Sequence, residues 1–75
     1  MYFIIELQTY QDGTATNLVF TETNRNQAES VYHQKLAYAA ISELPFHAVV
    51  LLNNKGVILR QWCYEHSTQP EQGEE

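Results

Sequence analysis

Three histidines and one cysteine are the side chains best suited to metal binding or nucleophilic catalysis in this chain of 75 residues. Cys63 and His66 lie three residues apart on a predicted strand, where side chains alternate between faces, so they cannot form a thiolate–imidazole pair. His33 and His47 come from other segments, and no short ligand spacing such as C-x2-C is present. The sequence therefore predicts neither a nucleophilic centre nor a metal site.

Carboxylates give no clear acid–base pair either. The glutamates before residue 67 are Glu6, Glu22, Glu29, Glu43 and Glu65. Glu29 is assigned to a helix capping box with Asn26, and the others are expected to face solvent. A glycine-rich phosphate loop, a nucleophile elbow and an internal repeat are all missing from the sequence. We therefore predict a non-enzymatic protein that uses no cofactor.

Aromatic side chains are the most distinctive feature, with five Tyr, three Phe and one Trp. Arg60 is close in sequence to Trp62 and Tyr64, a combination that can stack on a base or nucleotide. A core or a protein interface is the favoured interpretation, because aromatic residues are enriched in protein contacts. The alternative is an oligomer that binds a small ligand or nucleotide in an aromatic groove between subunits. The residues expected in that groove are Tyr32, His33, Tyr38, His47, Arg60 and Trp62.

The chain is acidic, with a formal net charge of −5 from four Lys and Arg against nine Asp and Glu. Glu71, Glu74 and Glu75 lie in the last nine residues, and without these three the charge is −2. The basic residues are scattered, so the sequence lacks the positive surface on which binding to a phosphate backbone depends. Duplex nucleic acid is not an expected partner.

Location and solubility are predicted from what the sequence lacks. Cys63 is the only cysteine, which favours a reducing compartment over a disulfide scaffold. The first residues are strand-like and carry no basic signal region, and no apolar stretch approaches the roughly 18 residues of a membrane span. We expect a soluble, cytoplasmic protein that does not bind membranes.

Residues 67–75 are expected to form a disordered acidic tail after a single α+β domain at residues 1–66, because they offer no apolar side chain to bury. Deleting residues 67–75 should therefore leave the melting temperature and the assembly state nearly unchanged. A drop in melting temperature of more than a few degrees would instead show that the tail packs against the domain.

Two glycine-containing turns, at residues 10–13 and 53–56, each separate two runs rich in β-branched and aromatic residues. The predicted strands are 2–10, 14–23, 46–52 and 57–66, and a helix lies between the two hairpins. If the first and third strands are central, the fold is α+β with ββαββ order. It is a four-stranded antiparallel sheet, with the second strand beside the first and the fourth beside the third, and the helix packs on one face.

The helix is predicted to begin at Gln27, after the capping box of Asn26 and Glu29, and to end near Glu43 because Pro45 follows. One face is suited to packing on a sheet and contains Ala28, Tyr32, Leu36, Ala39 and Ala40. Three apolar residues fall largely outside this face and are expected at an interface with a partner chain: Val31, Tyr38 and Ile41.

Self-association is predicted because one helix cannot cover both faces of a four-stranded sheet. The uncovered face is expected to carry one side of the first strand and alternate residues of 46–52, together with Trp62 and Tyr64. We therefore expect a homodimer or a larger homo-oligomer. If the helix residues form the interface, Tyr38→Ala weakens association by more than about 1 kcal/mol.

Residues 26–40 (NQAESVYHQKLAYAA), 45–47 (PFH) and 50–52 (VLL), with residues 1–9 and the Asp12-Gly13 turn, resemble small uncharacterised proteins of gut bacteria and their phages. The resemblance spans most of the chain except the tail. It implies an intracellular protein of mobile-element origin and brings no catalytic or binding residue with it. Combined with the predicted self-association, it suggests a phage-type or mobile-element accessory factor that binds a host protein.

Overall fold

The computed structural model describes residues 1–66. The elements in chain order are β1 (Tyr2–Thr9), β2 (Ala15–Glu22), α1 (Arg25–Ile41), β3 (Phe46–Asn53) and β4 (Ile58–Glu65). All strands are antiparallel and form one sheet in the order β2-β1-β3-β4, and α1 packs on one face. The predicted α+β fold and strand order are confirmed, whereas the predicted tail lies outside the described residues.

Side chains just before or inside the turns hold both hairpins closed. In the second hairpin, the Asn53 side-chain oxygen accepts from the backbone N–H groups of Lys55 and Val57 at 2.8 and 3.0 Å. The Asp12 carboxylate accepts hydrogen bonds from the Thr14 backbone N–H at 3.0 Å and from the Thr14 hydroxyl at 2.7 Å. These bonds lower the pKa of Asp12, the backbone bond more than the hydroxyl. Gly13 and Gly56 have φ values of 89° and 83°, which only glycine adopts without strain. The two glycines thus fix where each chain reversal occurs.

The helix start differs from the prediction. Asn24, rather than Asn26, is the N-cap, and its side-chain oxygen accepts from the backbone N–H groups of Asn26 and Gln27 at 2.8 and 3.1 Å. The capping-box assignment of Asn26 and Glu29 is therefore wrong. The helix begins at Arg25 and ends at Ile41, because Ser42 already has an extended backbone. No helix within residues 1–66 is long and apolar enough to cross a membrane.

The core lies between α1 and the two central strands. Its buried apolar side chains are Ile4, Ala28, Tyr32, Ala39, Val49 and Leu51. The side of β1 that faces the helix is the mixed one, with Ile4 next to the buried Glu6, whereas Phe3 and Ile5 lie on the side without a helix. The prediction that Tyr64 lies on the uncovered face is wrong, because Tyr64 pairs with the helix-facing His47 of β3. Trp62 pairs with the helix-facing Val49, but its side chain, on an edge strand, also lines a hollow with Ala48 and Val50 of the uncovered face.

The face of the sheet opposite α1 is referred to below as the open sheet face. Register and strand alternation assign to it Phe3, Ile5, Leu7, Thr9, Ala15, Asn17, Val19, Thr21, Phe46, Ala48, Val50, Leu52, Ile58, Gln61, Cys63 and Glu65. Leu7, Val19 and Phe46 are large apolar side chains that remain exposed there. Glu65, at the end of an edge strand, is the only charged residue among the sixteen positions.

Candidate functional site

A groove of about 270 Å³ lies between α1 and the edge strand β4. It is lined by Tyr32, His33 and Leu36 from the helix and by Leu59, Arg60, Gln61, Trp62 and Tyr64 from the strand. Four of the six residues predicted for ligand binding meet here, namely Tyr32, His33, Arg60 and Trp62. The groove lies within one chain, whereas the sequence predicted it between subunits.

An irregularity in β4 shapes this groove. Leu51 pairs with Arg60 and Leu52 pairs with Ile58, so Leu59 is an extra residue in the ladder. Leu59 packs against the core cluster, and Arg60 binds a helix side chain, although adjacent strand residues normally point to opposite faces. The bulge therefore brings two consecutive side chains to the helix side, where they form one wall of the groove.

Charged side chains meet at one rim of the groove, around Glu29. Its carboxylate accepts from Nε of Arg60 at 2.5 Å and from Nε of Arg25 at 3.2 Å, and Nε2 of His33 is 3.8 Å away. The hydrogen bond from Arg60, which has the larger effect, and the one from Arg25 lower the pKa of Glu29 below its usual value. The cluster holds two guanidinium groups against one carboxylate at neutral pH, which is a local positive excess on an acidic chain.

Aromatic rings form the apolar part of the groove. Trp62 is 56% exposed, and its ring meets Tyr64 edge-on at 6.2 Å between centroids. Tyr32 packs edge-on against His33 at 5.2 Å and is itself 4% exposed. Burial raises the pKa of Tyr32, so its hydroxyl keeps its proton at neutral pH. The groove thus offers a flat exposed ring, a phenol donor and a guanidinium group.

The other two predicted ligand residues lie elsewhere. Tyr38 is 61% exposed on α1 and contacts Lys35, whose ammonium is 5.9 Å from the Tyr38 ring and 4.3 Å from the Phe20 ring. His47 is buried on the helix-facing side of β3. Neither lines the groove: His47 belongs to a central strand, and Tyr38 lies on α1 near Lys35, which contacts Phe20 of β2.

The three predicted interface residues do not share one environment. Val31 is half-buried and packs against the core of its own chain. Tyr38 and Ile41 are exposed, Ile41 to 80%. Only these two remain available on the helix surface to contact a partner.

A buried hydrogen-bonded pair was missed by the sequence analysis. Nε2 of His47 lies 2.6 Å from the Glu6 carboxylate, and both side chains are buried between the sheet and the helix. Gln8 donates to the same carboxylate oxygen at 3.5 Å, and Nδ1 of His47 has no partner among residues 1–66. The two residues are 41 positions apart, so no local spacing signals the contact. Because both are enclosed, we interpret this pair as part of the core rather than as a ligand site.

The remaining candidate residues show no shared site. Cys63 is a free, exposed thiol on the open sheet face. Nε2 of His66 donates to the Ala39 carbonyl at 2.7 Å, and its ring stacks on Tyr64. Within residues 1–66, no group of three His, Cys, Asp or Glu side chains is placed to hold a metal ion.

Comparison with known proteins gives no assignment, since no family model matches the chain and no significant match is found among curated proteins or solved structures.

Proposed function

We propose that this chain is a non-enzymatic, self-associating protein whose open sheet face packs against the same face of a second copy. The observation that carries the proposal is the composition of that face. Its central strands present Phe3, Ile5, Val50 and other uncharged side chains, and no element of residues 1–66 covers them. A contiguous exposed apolar surface of this kind commonly marks a protein–protein contact.

A second copy suits this face for an electrostatic reason. The chain carries a net charge of −5, which opposes association of two copies through most of its surface. On the open sheet face, only Glu65 is charged, and it lies at an edge. Two such faces therefore meet without like charges at the centre and without burying an unpaired charge.

The size of the face also fits a dimer. Strands of eight residues are about 26 Å long, and four of them side by side span about 19 Å. Two such faces that overlap completely, stacked about 10 Å apart, bury about 1,000 Å² in total, the area at which specific interfaces begin. The exposed helix pair Tyr38 and Ile41 offers a much smaller surface.

The resemblance of the sequence to small proteins of gut bacteria and their phages suggests a second candidate function, an accessory factor that binds a host protein. In this alternative, the host protein rather than a second copy covers the open sheet face. A host partner predicts that the isolated chain stays monomeric, so the assembly state separates the two occupants.

Sedimentation of the purified chain at micromolar concentration tests the proposal. We expect a species of about twice the chain mass of 8.7 kDa, and dissociation on dilution. A single 8.7 kDa species over the whole concentration range would contradict self-association. The measurement needs no ligand and no partner.

A further inference from the structure

We propose that the groove between α1 and β4 binds a small aromatic anion, a flat ring that carries a carboxylate or phosphate, with the ring on Trp62 and the anionic group on Arg60. This goes beyond self-association, because the groove lies between α1 and the helix side of β4, and only Gln61 and Trp62, on the edge strand, also border the open sheet face. The Arg60 side of the groove is therefore accessible in a monomer and in a face-to-face dimer.

The guanidinium group of Arg60 is held in place by Glu29 but keeps hydrogen-bond donors that are not used within residues 1–66. Only Nε bonds to Glu29, and neither terminal nitrogen of Arg60 takes part in a hydrogen bond with residues 1–66. Bonding through Nε fixes the plane of the guanidinium group and leaves its outer nitrogens for a second acceptor. Carboxylate and phosphate groups match this geometry, since both accept two parallel N–H bonds.

The charge around the groove favours an anion. The chain has four Lys and Arg in total, and both arginines of residues 1–66 contact Glu29 at this rim. The rim keeps one positive charge in excess, with two guanidinium groups against the Glu29 carboxylate. This positive charge repels a cationic ligand and attracts an anionic one.

The aromatic part of the groove favours a flat ring. Trp62 is the only tryptophan of the chain and presents more than half of its surface to solvent beside Tyr64. Base-like rings stack on such side chains with little regard to their exact structure. The hydroxyl of Tyr32 makes no hydrogen bond with another of residues 1–66, although the residue is 4% exposed, so it can donate to the ligand. The volume of about 270 Å³ lies at the lower end for ligand sites, which limits the ligand to one or two rings.

Quenching of Trp62 fluorescence provides the test, because no other tryptophan contributes to the signal. The probes are adenosine monophosphate and cinnamate, and their uncharged counterparts are adenosine and cinnamamide. Saturable quenching by one anionic probe, with affinity at least about tenfold above its uncharged counterpart, is expected, since hydrogen bonds to charged groups contribute this much. The stronger of the two anions identifies phosphate or carboxylate as the natural group.

Arg60→Gln and Arg25→Gln form a matched pair, because both residues bind Glu29 but only Arg60 lines the groove. Arg60→Gln should weaken binding of the anionic probe by about tenfold or more, and Arg25→Gln by much less. Circular dichroism of both variants verifies that they are folded. Absence of saturation with either anion, equal binding of charged and uncharged probes, or equal losses in the two variants would each overturn the proposal. The comparison of Arg60→Gln with Arg25→Gln does not depend on whether the chain is a dimer, because neither arginine lies on the open sheet face.

Discussion

Replacing His47 with leucine is expected to lower the free energy of unfolding by about 3 kcal/mol or more, although leucine is the more apolar residue. His47 is the closest hydrogen-bond partner of the buried Glu6 carboxylate, at 2.6 Å, and the remaining donor, Gln8, is 3.5 Å away. His47→Leu leaves a carboxylate enclosed by Val49, Ile4 and the helix with one weak partner. An unpaired buried charge costs far more than the apolar gain of the substitution.

Urea denaturation, followed through Trp62 fluorescence, measures this loss. Domains of this size have a total stability of roughly 3–10 kcal/mol, so the variant is expected to be largely unfolded or close to it. Glu6→Gln is the milder variant, because its amide oxygen still accepts from the His47 Nε2–H. We expect it to retain a cooperative transition at a reduced urea midpoint.

The double variant Glu6→Leu with His47→Leu distinguishes the cost of a buried carboxylate without a partner from the cost of losing the histidine side chain. Removing both polar groups leaves no unsatisfied carboxylate, and also removes the unpartnered Nδ1 of His47. Its stability should return to within about 1 kcal/mol of the wild-type value, as for other buried pairs replaced together. If the double variant is as unstable as His47→Leu, lost packing at these two positions causes the instability. The explanation by a buried carboxylate without a partner is then wrong.

This pair also shows why part of the fold was beyond sequence reasoning. The alternation of β1 shows one fully apolar side, Phe3, Ile5 and Leu7, and one mixed side that contains Glu6. Local pattern alone favours burying the apolar side. The mixed side faces α1 because His47, on a strand that begins 37 residues after β1 ends, supplies the partner that makes burial of Glu6 tolerable. That partner becomes visible only once the register of β1 and β3 is known.

Local signals predicted both hairpins, and the strand order followed on the assumption that the first and third strands are central, but the start of the helix was placed incorrectly. Asn24 and Asn26 are both good N-cap residues, and each is followed three positions later by Gln or Glu. The contacts of Glu29 decide between them, because its carboxylate binds Arg25 and Arg60 rather than the helix start. The groove depends equally on strand pairing, because the bulge at Leu59 in its wall interrupts the two-residue period that the sequence suggests.

The substitution Val50→Glu is expected to make the protein monomeric at concentrations where the wild-type chain is dimeric. Val50 lies at the centre of the open sheet face, between Ile5 on β1 and Gln61 on β4. In a face-to-face dimer, a glutamate there is enclosed near the same residue of the second copy. Burying an unpaired charge beside a like charge should raise the dissociation constant by about 100-fold or more.

Sedimentation equilibrium of three variants beside the wild type locates the interface. Ser30→Glu, on the exposed part of α1, is the charge-matched control and should leave the dissociation constant nearly unchanged. Tyr38→Ala tests the helix surface, where substitution of an exposed side chain is expected to change association by no more than about 0.5 kcal/mol. If Tyr38→Ala instead weakens the dimer by more than about 1 kcal/mol while Val50→Glu leaves it intact, the interface lies on the helix around Tyr38 and Ile41. The apolar sheet face would then need a different occupant, because its lack of charge could no longer be explained by contact between two copies.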